Sequence, residues 1–441
     1  MIKFGTGGWR AVIGDDRRFL SKEAMKWMAE VIAAENIHVR LINRSVPTPL
    51  TMFYVEKHGL PYGMMVTASH NPAIYNGVKV FTEGGRDADE EQTADIERYI
   101  GKVNENQIRT VEYEEGLHSG LIEEIYPMNE YVDSIIGAVN MDAIRNAGLR
   151  IALDPMYGVS ETALRTILVT ERCQVDTIHD RHDTLFGGKL PAPTAETLLG
   201  LQTFVIEGNY DLGIATDGDA DRLGVIDDKG QFLHPNDILV LLYDYLLRYR
   251  GWKGPAVRSI CTTHLLDRVA ADFGQECYEV PVGFKYVSAK MNETDAIIGG
   301  ESSGGLAVRG HIHGKDGVYA ASLLVEMLAV TGKKLSEIVR EIRQKYGYMP
   351  FGEHSYRFST EEKERIHDLV MNQRALPEIP WEIDQLSYRD GLILYLKNGG
   401  WVSVRFAGTE PLLRIFCEMP SQAEAAEITE RFEKFLGLHG D

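Results

Sequence analysis

Apolar residues recur along this chain with two different periods, and the alternation of the two predicts an α/β protein. Helical spacing in the first part of the chain occurs at residues 19–36, 50–57, 90–103 and 121–139. Short apolar runs typical of strands occur at 37–41, 150–154, 212–216, 223–226 and 257–261. Because strands and helices alternate rather than cluster by type, the pattern favours mixed sheets covered by helices.

The alternation is repeated in three units of similar size, which suggests a diverged internal repeat. We place these units at 1–140, 141–252 and 253–350. The remaining segment, 351–441, differs: strands at 391–397 and 400–406 form a hairpin, and an amphipathic helix follows at 423–436. The sequence therefore predicts three related α/β domains and a smaller C-terminal α+β domain.

The composition restricts the class of protein and its partners. The 441 residues carry a net charge of −19, which argues against a nucleic acid or an anionic membrane as partner. No apolar run approaches the length of a membrane span, and the opening MIKFGTGGWR lacks the apolar core of a signal peptide. The four cysteines form no CxxC pair, which is typical of the reducing cytosol. We therefore expect a cytoplasmic protein without structural zinc or disulfides.

The stretch 64–81, MMVTASHNPAIYNGVKVF, places a polar loop between two apolar runs. A loop between strands is how a rigid sheet presents a nucleophile, and Ser69 lies near the tip of this one. Asn71 precedes a proline and is pushed away from helical geometry, so we expect one extended loop shape. A serine beside His70, with Lys79 downstream, allows hydrolysis, phosphoryl transfer or a purely structural turn.

Three aspartates at every second position follow the strand predicted at 212–216. In an extended loop Asp217, Asp219 and Asp221 face the same side, where their charges repel unless a cation lies between them. Oxygen ligands select Mg²⁺ or Ca²⁺, and an EF-hand is excluded because Arg222 occupies the position of its glycine. We expect a metal site here in preference to the alternative, a solvated acidic turn.

Two polar stretches in the third unit carry groups suited to a sugar. In GGESSGG, at 299–305, Glu301 and Ser303 are spaced to point the same way, and a carboxylate with a hydroxyl suits neighbouring sugar hydroxyls. The alternative is a flexible surface loop. Downstream, GHIHGKDG adds His311 and Lys315, and we expect no zinc site because no further cysteine or histidine is close.

Two arginine-bearing segments have the composition of phosphate sites. RFAGTEP follows a strand and combines Arg405 and Arg414 with the hydroxyl of Thr409 and with backbone amides exposed by small residues. In the opening turn, glycines let the backbone approach a ligand that Arg10 can clamp. The alternatives are a hairpin end and a plain turn with incidental arginines.

Together these loops resemble those of the α-D-phosphohexomutase superfamily, and the resemblance extends over nearly the whole chain. The family has four signature loops in a fixed order, and this chain has all four in that order. They are TASHNP at 67–72, DGDADR at 217–222, GGESSGG at 299–305 and RFAGTEP at 405–411. The opening FGTGGWR and the segment VGFK, at 282–285, are also similar to family segments.

The resemblance implies four domains around a central cleft and an enzyme that carries a phosphoryl group on Ser69. The implied Mg²⁺ ligands, one ion per chain, are Asp217, Asp219 and Asp221 together with the phosphorylated Ser69. The groups implied around the phosphoserine are Arg10, His70 and Lys79. The implied substrate ligands are Arg222, Lys285, Glu301, Ser303, His311, Lys315, Arg405, Gly408, Thr409 and Arg414.

The implied reaction is the isomerisation of a sugar phosphate. Phospho-Ser69 gives its phosphoryl group to a hexose monophosphate, the bisphosphate turns over in the cleft, and the other phosphate returns to the serine. Mg²⁺ and a hexose 1,6-bisphosphate primer are the implied cofactors, and either a monomer or a homodimer is compatible with the sequence. Phosphoryl transfer depends on positioning and charge stabilisation, which a metal and several cations around one serine can supply.

The preferred sugar is predicted from the third loop. Loops ending in SGH are typical of phosphomannomutases and phosphoglucosamine mutases, whereas here Gly305 follows Gly304. His311 and Lys315 fit the HIxxKDG pattern of phosphoglucomutases. The sequence therefore predicts a phosphoglucomutase, with phosphomannomutase and phosphoglucosamine mutase as alternatives.

The chain departs from the family pattern at two places. Ala407 stands where the family usually has serine, which removes a hydroxyl contact worth about 1 kcal/mol. The first domain lacks a helix and a strand, roughly 30–40 residues, before Arg17; the loss should expose a sheet edge and makes the place of Arg10 doubtful. These departures leave two other classes open: a metal-dependent sugar phosphatase in which Ser69 is incidental, and an inactive protein that binds sugar phosphates.

Overall fold

The computed structural model describes residues 10–406 and 412–438, which form four sheets with helices packed against them. The first unit contains β1 (Arg10–Asp15), α1 (Ser21–Ala33), β2 (His38–Ile42), α2 (Thr48–Lys57), β3 (Tyr62–Val66), β4 (Val78–Thr82), β5 (Arg86–Asp87), α3 (Glu90–Ile100), α4 (Tyr113–Ser119), β6 (Ile122–Ile125) and α5 (Met128–Ala138). The second contains α6 (Met141–Ala147), β7 (Arg150–Asp154), α7 (Ser160–Thr170), β8 (Gln174–Thr177), α8 (Leu199–Gly208), β9 (Leu212–Thr216), β10 (Leu223–Ile226) and β11 (Phe232–Leu233).

The third unit begins with a helix that packs against strands of both the second and third sheets. Its elements are α9 (Pro235–Arg248), β12 (Ala256–Ser259), α10 (Leu265–Asp272), β13 (Cys277–Val280), α11 (Phe284–Thr294), β14 (Ile298–Gly300), β15 (Leu306–Val308), α12 (Gly317–Thr331) and α13 (Leu335–Tyr346). The fourth contains β16 (Phe351–Arg357), α14 (Thr360–His367), β17 (Ile383–Ser387), β18 (Leu392–Leu396), β19 (Trp401–Phe406), β20 (Leu412–Glu418) and α15 (Gln422–Leu436). One sheet falls within each predicted domain, and the boundary residues themselves stay a prediction.

The first three sheets share one connectivity. In each, a central strand (β1, β7 or β12) pairs in parallel with the next two strands of its unit. The second of these, β3, β9 or β14, then turns back into an antiparallel strand. The loops at these three turns contain the serine, the aspartates and the sugar-loop glutamate. The internal repeat is therefore visible in the topology, and it places three of the signature loops at equivalent positions.

The first unit has a continuous sheet of described strands next to the loop that carries Ser69. β1 lies inside the six-stranded sheet, between β3 and β2, and not at an edge. It ends at Asp15, which pairs with Val66 directly before the serine loop. The described strands therefore leave no sheet edge beside the serine loop at β1, whereas the predicted shortening of this domain stays a prediction.

The helix predicted over 121–139 is wrong at its beginning. Residues 122–125 form β6, which pairs in parallel with β2, and α5 starts only after Pro127. The short run Ile-Glu-Glu-Ile fits either period, and pairing with a neighbouring strand decided the outcome. The other helices predicted in this region are confirmed: α1 and α3 are shorter than predicted, and α2 begins two residues earlier.

The apolar cores divide the molecule unevenly. One large cluster runs through the first three units, and the side chains of α12 are buried on nearly every face. The antiparallel fourth sheet, ordered β16-β20-β19-β18-β17, has a separate core against α15. A small seam of apolar side chains joins the third and fourth units. Within the described residues, no helix combines the length and apolar character needed to cross a membrane.

Candidate active site

Ser69 lies in the loop between β3 and β4, and its backbone adopts the left-handed conformation, with φ at 52°. Its N–H donates to Oγ1 of Thr67 at 2.8 Å, and its side chain is buried. Its Oγ donates to Oδ2 of Asp217, 2.9 Å away on the second unit. Positive φ is costly for a residue with a side chain unless the surroundings fix it. The loop therefore holds this hydroxyl in one defined place, against the loop that carries Asp217.

Arg18 supports the serine loop, and sequence reasoning missed it. Its terminal nitrogens donate to loop carbonyl oxygens at 2.7–2.9 Å, those of Ser69, Asn71, Pro72 and Tyr75. Its Nε lies 3.2 Å from Oδ2 of Asp16, and both side chains are fully buried. The same oxygen accepts a hydrogen bond from Thr67 at 2.7 Å. The available signal was an arginine shortly after a strand, here β1, that ends beside the serine loop.

The three predicted metal ligands lie together after β9. One carboxylate oxygen from each of Asp217, Asp219 and Asp221 falls within 4.8 Å of the others, and all three side chains are buried. Oδ1 of Asp219 and Oδ1 of Asp221 have no hydrogen-bond partner among the residues that the structure describes. Burial, reinforced by its two neighbours, raises the pKa of Asp217 well above its ordinary value. Crowded, partnerless carboxylate oxygens fit a hard divalent cation such as Mg²⁺.

Three cations surround the aspartates. Nζ of Lys79 lies 2.7 Å from Oδ2 of Asp219 and 2.8 Å from Oδ2 of Asp221. Nζ of Lys315 also lies 2.8 Å from Oδ2 of Asp221, and Nε of Arg222 lies 3.9 Å from Oδ1 of Asp221. Burial acts to raise the pKa of Asp221, but the three cations outweigh it and lower that pKa. The three cations therefore favour the charged form of Asp221.

His70 and Thr48 complete the surroundings of the serine and the aspartates. Nδ1 of His70 lies 3.5 Å from Oγ of Ser69. Burial, followed by the charge of Arg222, lowers the pKa of His70 to about 3, so its ring is neutral at pH 7. Oγ1 of Thr48, at the start of α2, donates to Oδ2 of Asp219 at 2.6 Å. Sequence reasoning missed this threonine, whose only signal was a polar residue at a helix start between two prolines.

The predicted sugar loop lies beside the metal loop. The N–H of Leu223, just after the aspartates, donates to the carbonyl oxygen of Gly304 at 3.2 Å. Oε1 of Glu301 accepts from the N–H of Gly283 at 2.9 Å, and Ser303 is exposed. The structure thus brings the sugar loop, the aspartates and the serine to one place, in agreement with the central cleft that the family resemblance implies.

Gly305 provides the space through which Lys315 reaches the aspartates. A Cβ added at Gly305 would lie 2.2 Å from Cδ of Lys315, far inside contact distance. The same lysine makes the 2.8 Å ion pair with Asp221. A histidine at position 305 therefore cannot coexist with this path of Lys315.

The other predicted cations lie on the third and fourth units. Nζ of Lys285 lies 2.8 Å from Oε1 of the exposed Glu90, so it links α11 to α3 of the first unit. Arg405 and Arg414 face each other in register on β19 and β20. Three further residues of that predicted phosphate loop, Ala407, Gly408 and Thr409, lie outside the described residues.

Arg10 is not brought to the serine loop. β1 runs parallel to β3, and its last residue, Asp15, pairs with Val66 beside the loop. Arg10 is the first residue of β1 and lies about 17 Å away along the strand, at roughly 3.3 Å per residue. The structure therefore places Arg18, and not Arg10, at the serine loop, and the catalytic role of Arg10 stays a prediction.

His311 is not placed to bind a sugar. Its side chain is 2% exposed, and Nε2 lies 2.9 Å from Oδ2 of Asp316. Its ring packs among those of Phe53, Tyr131 and Tyr319. The described position of the His311 ring, enclosed by aromatic neighbours, gives no support to the predicted substrate contact, which stays a prediction.

Comparison with protein families matches the chain domain by domain. Residues 2–107, 129–230 and 234–346 match the phosphoglucomutase/phosphomannomutase alpha/beta/alpha domains I, II and III. Residues 360–435 match the C-terminal domain of the same family. The order of the four matches is that of the four sheets.

Named proteins and solved structures agree with these matches. A phosphoglucomutase/phosphomannomutase of Thermococcus kodakarensis is 30% identical over 88% of this chain and 82% of its own. A protein of Methanopyrus kandleri named as a phosphoglucosamine mutase is 30% identical over 97% of this chain and 90% of its own. A crystal structure of a Thermus thermophilus protein named as a phosphomannomutase superposes with a TM-score of 0.84 at 27% identity, covering 98% of this chain and 91% of its own. This chain belongs to the phosphoglucomutase/phosphomannomutase family, within the α-D-phosphohexomutase superfamily.

Proposed function

We propose that this phosphohexomutase interconverts glucose 1-phosphate and glucose 6-phosphate through a phosphoserine at Ser69. The observation that carries the proposal is the position of the Ser69 hydroxyl, 2.9 Å from Asp217 in a cluster of three buried aspartates. Lys79 and Lys315 add positive charge to the same cluster. A serine beside a cation site and two lysines has the equipment that phosphoryl transfer requires.

Each half-reaction moves one phosphoryl group. A hydroxyl oxygen of the hexose monophosphate attacks the phosphorus of phospho-Ser69, and the bond from phosphorus to Oγ breaks. The proton of the hydroxyl is passed to Oγ, so the products are a hexose 1,6-bisphosphate and the free serine. After the sugar has turned in the cleft, Oγ of Ser69 attacks the other phosphate and the isomeric monophosphate leaves. The neutral ring of His70 can hydrogen-bond Oγ when it is not phosphorylated. One Mg²⁺ per chain, held by the three aspartates, would neutralise charge on the transferring phosphoryl group.

Glucose is the proposed sugar because the loop at 299–305 has Gly305, and not a histidine, at the position next to Lys315. Gly305 leaves room for that lysine, and a larger residue at this position would displace it. Lys315 instead presents a charge between the sugar loop and the metal loop. The buried His311 no longer supports this choice, so the proposal rests on Gly305 and Lys315.

Intact-mass spectrometry tests the reaction type. The purified protein, treated with glucose 1,6-bisphosphate and Mg²⁺, should gain one phosphate that Ser69→Ala does not gain. Release of inorganic phosphate from hexose monophosphates without this adduct would instead indicate a phosphatase. Sugar-phosphate binding with neither adduct nor turnover would indicate an inactive binding protein.

The second candidate is a phosphoglucosamine mutase, which the name of the Methanopyrus kandleri relative favours. Turnover of glucose 1-phosphate, mannose 1-phosphate and glucosamine 1-phosphate should be compared at equal enzyme and primer concentrations. We expect the highest kcat/KM with glucose 1-phosphate. A preference for the amino sugar would replace glucose with glucosamine and leave the phosphoserine mechanism standing.

We also propose a cytoplasmic enzyme, active as a monomer or a homodimer, whose primer is a hexose 1,6-bisphosphate. All four cysteines are free thiols, which supports a reducing compartment. A lag in turnover that added bisphosphate removes would support the primer, and sedimentation would give the oligomeric state.

A further inference from the structure

Asp390 lies in the turn between β17 and β18 of the fourth unit, next to the arginine proposed to bind phosphate. Its carboxylate faces Nε of Arg405, at 3.0 Å from Oδ1 and 3.1 Å from Oδ2. Neither terminal amino group of Arg405 donates a hydrogen bond to any residue within 10–406 or 412–438. Asp390 therefore holds the Nε edge of the guanidinium, which leaves the direction of its terminal amino groups set by this contact.

Gly391 makes this contact possible. It has a φ of 85°, and a Cβ there would lie 2.4 Å from the carbonyl oxygen of Val404 and 3.2 Å from Cα of Arg405. The main chain of the turn thus runs directly against the strand that carries Arg405. Because the glycine fixes this approach, the position of Asp390 is built into the hairpin.

The same carboxylate also reaches the third unit. The N–H of Val282 donates to Oδ2 of Asp390 at 3.0 Å, and the next N–H in the chain, that of Gly283, donates to Oε1 of Glu301 at 2.9 Å. Two consecutive amides are therefore anchored to two different units. One amide is joined to the phosphate arginine through Asp390, and the other is joined to the sugar loop through Glu301.

We propose that Asp390 is a positioning residue that fixes Arg405 relative to the sugar loop. It orients the guanidinium toward the substrate phosphate and ties the fourth unit to the 282–283 turn. The proposal rests on the proposed function only in assuming that Arg405 receives the phosphate that is not transferred. A partly exposed ion pair adds little to folding stability, so loss of Asp390 should affect binding more than folding.

The test uses the full-length protein and measures the affinity for inorganic phosphate and for glucose 6-phosphate by calorimetry. Asp390→Ala should weaken both at least tenfold, with an unfolding temperature close to that of the wild type. The affinities of Asp390→Asn should lie between those of the wild type and of Asp390→Ala, because its amide oxygen still accepts from Val282 but carries no charge. Asp384→Asn, an exposed aspartate of the same unit on β17, is the matched control and should bind as the wild type does.

A double-mutant cycle shows whether Asp390 acts through the arginine. Arg405→Met should weaken phosphate binding by itself, and adding Asp390→Ala to it should change affinity by less than twofold. Wild-type affinity in Asp390→Ala, or full multiplication of the two losses, would overturn the proposal. In binding-deficient variants, mass spectrometry of Ser69 at saturating bisphosphate should still show the phosphate adduct, which a general folding defect would abolish.

Failure of the proposed function can be told apart from failure of this inference. Phosphate binding that depends on Arg405 and Asp390, without mutase turnover, would remove the function and keep the inference. Mutase turnover with unchanged phosphate affinity in Asp390→Ala would do the reverse.

Discussion

Glu171 directly follows the last residue of α7, and its carboxylate is buried. The residue is fully buried, and neither oxygen has a hydrogen-bond partner within the described part of the chain. Burial, reinforced by the charge of Glu326, raises the pKa of Glu171 to about 8. Between its ordinary pKa and this value, the folded protein holds a proton that the unfolded chain releases. The residue therefore destabilises the fold increasingly as the pH rises through that window.

We predict that Glu171→Gln stabilises the protein at pH 7, by on the order of 1–3 kcal/mol. The gain should shrink toward zero near pH 4, where both states of the wild type bind the proton. Chemical denaturation at both pH values measures it, with the exposed Glu207→Gln as control. A gain that is equal at both pH values would show that the charge is not its cause.

Arg18 carries the second prediction at this scale. Arg18→Lys cannot reproduce five donors directed at one carboxylate and four carbonyl oxygens. We expect turnover to fall at least a hundredfold, because the serine loop loses its support. Lys replacing the exposed Arg44 of the same unit should leave turnover unchanged. Activity within threefold of the wild type in Arg18→Lys would show that the loop holds its shape by other contacts.

The loop between β9 and β10 carries the three aspartates, so Mg²⁺ bound there should stabilise the folded protein. Mg²⁺ that binds the folded state at a hundred times its Kd stabilises it by about 2.7 kcal/mol. We expect the unfolding temperature to rise with Mg²⁺ in the wild type and in the exposed-residue control Asp133→Asn. The rise should be absent in Asp219→Asn, because one carboxylate of the cluster is lost. A full shift in that variant would place the ion elsewhere.

Gly305 of the β14–β15 hairpin packs directly against the side chain of Lys315, which lies just before α12. Gly305→Ala should lower kcat about as much as Lys315→Met, because the added Cβ displaces the lysine from Asp221. The double variant should be no worse than Lys315→Met alone. Gly200→Ala, where no described atom lies within 4 Å of the added Cβ, is the control. Losses that multiply would show that Gly305 has a separate role.

For the whole molecule, the sequence predicted what local chemistry determines. The serine loop, the aspartates and the sugar loop were identifiable because each follows an apolar strand and concentrates polar side chains. Their convergence depends on a topology repeated three times, which the alternation of elements suggested and the sheets confirm. Fold class and most helices follow from periodicity, since long amphipathic stretches have one stable arrangement.

What the sequence did not predict depends on register and on which side of an element faces the core. Arg10 begins β1 and Arg18 lies shortly after its end. Only the pairing of β1 with β3 shows which of the two arginines lies at the serine loop. The spacing of His311 and Lys315 in their motif is the same whether a side chain enters the cleft or the core. The run at 122–125 became a strand because β2 offered it an edge. Each of these outcomes depends on tertiary contacts between elements that are distant in the sequence.

The apolar seam between the third and fourth units holds the sheet that carries Arg405 against the third unit. Trp401 is fully buried there, packs with Ile260 and Phe416, and donates from Nε1 to Oε2 of Glu418 at 3.1 Å. It begins β19, the strand that also carries Arg405. Because the fourth unit has its own core, loss of the seam should free the unit without unfolding it.

We predict that Trp401→Ala costs about 3–5 kcal/mol at the seam and splits thermal unfolding into two calorimetric transitions. KM for the hexose phosphate should rise, since Arg405 is no longer held against the third unit. Trp381→Ala, which packs on the core of the fourth unit itself, should lower the stability of that unit while leaving the seam contacts in place. A single transition in Trp401→Ala with unchanged KM would mean that polar contacts hold the two units together without the apolar contact. These contacts are the hydrogen bonds from the N–H of Val282 to Asp390 and from the N–H of His264 to Oε2 of Glu418, the latter at 2.9 Å.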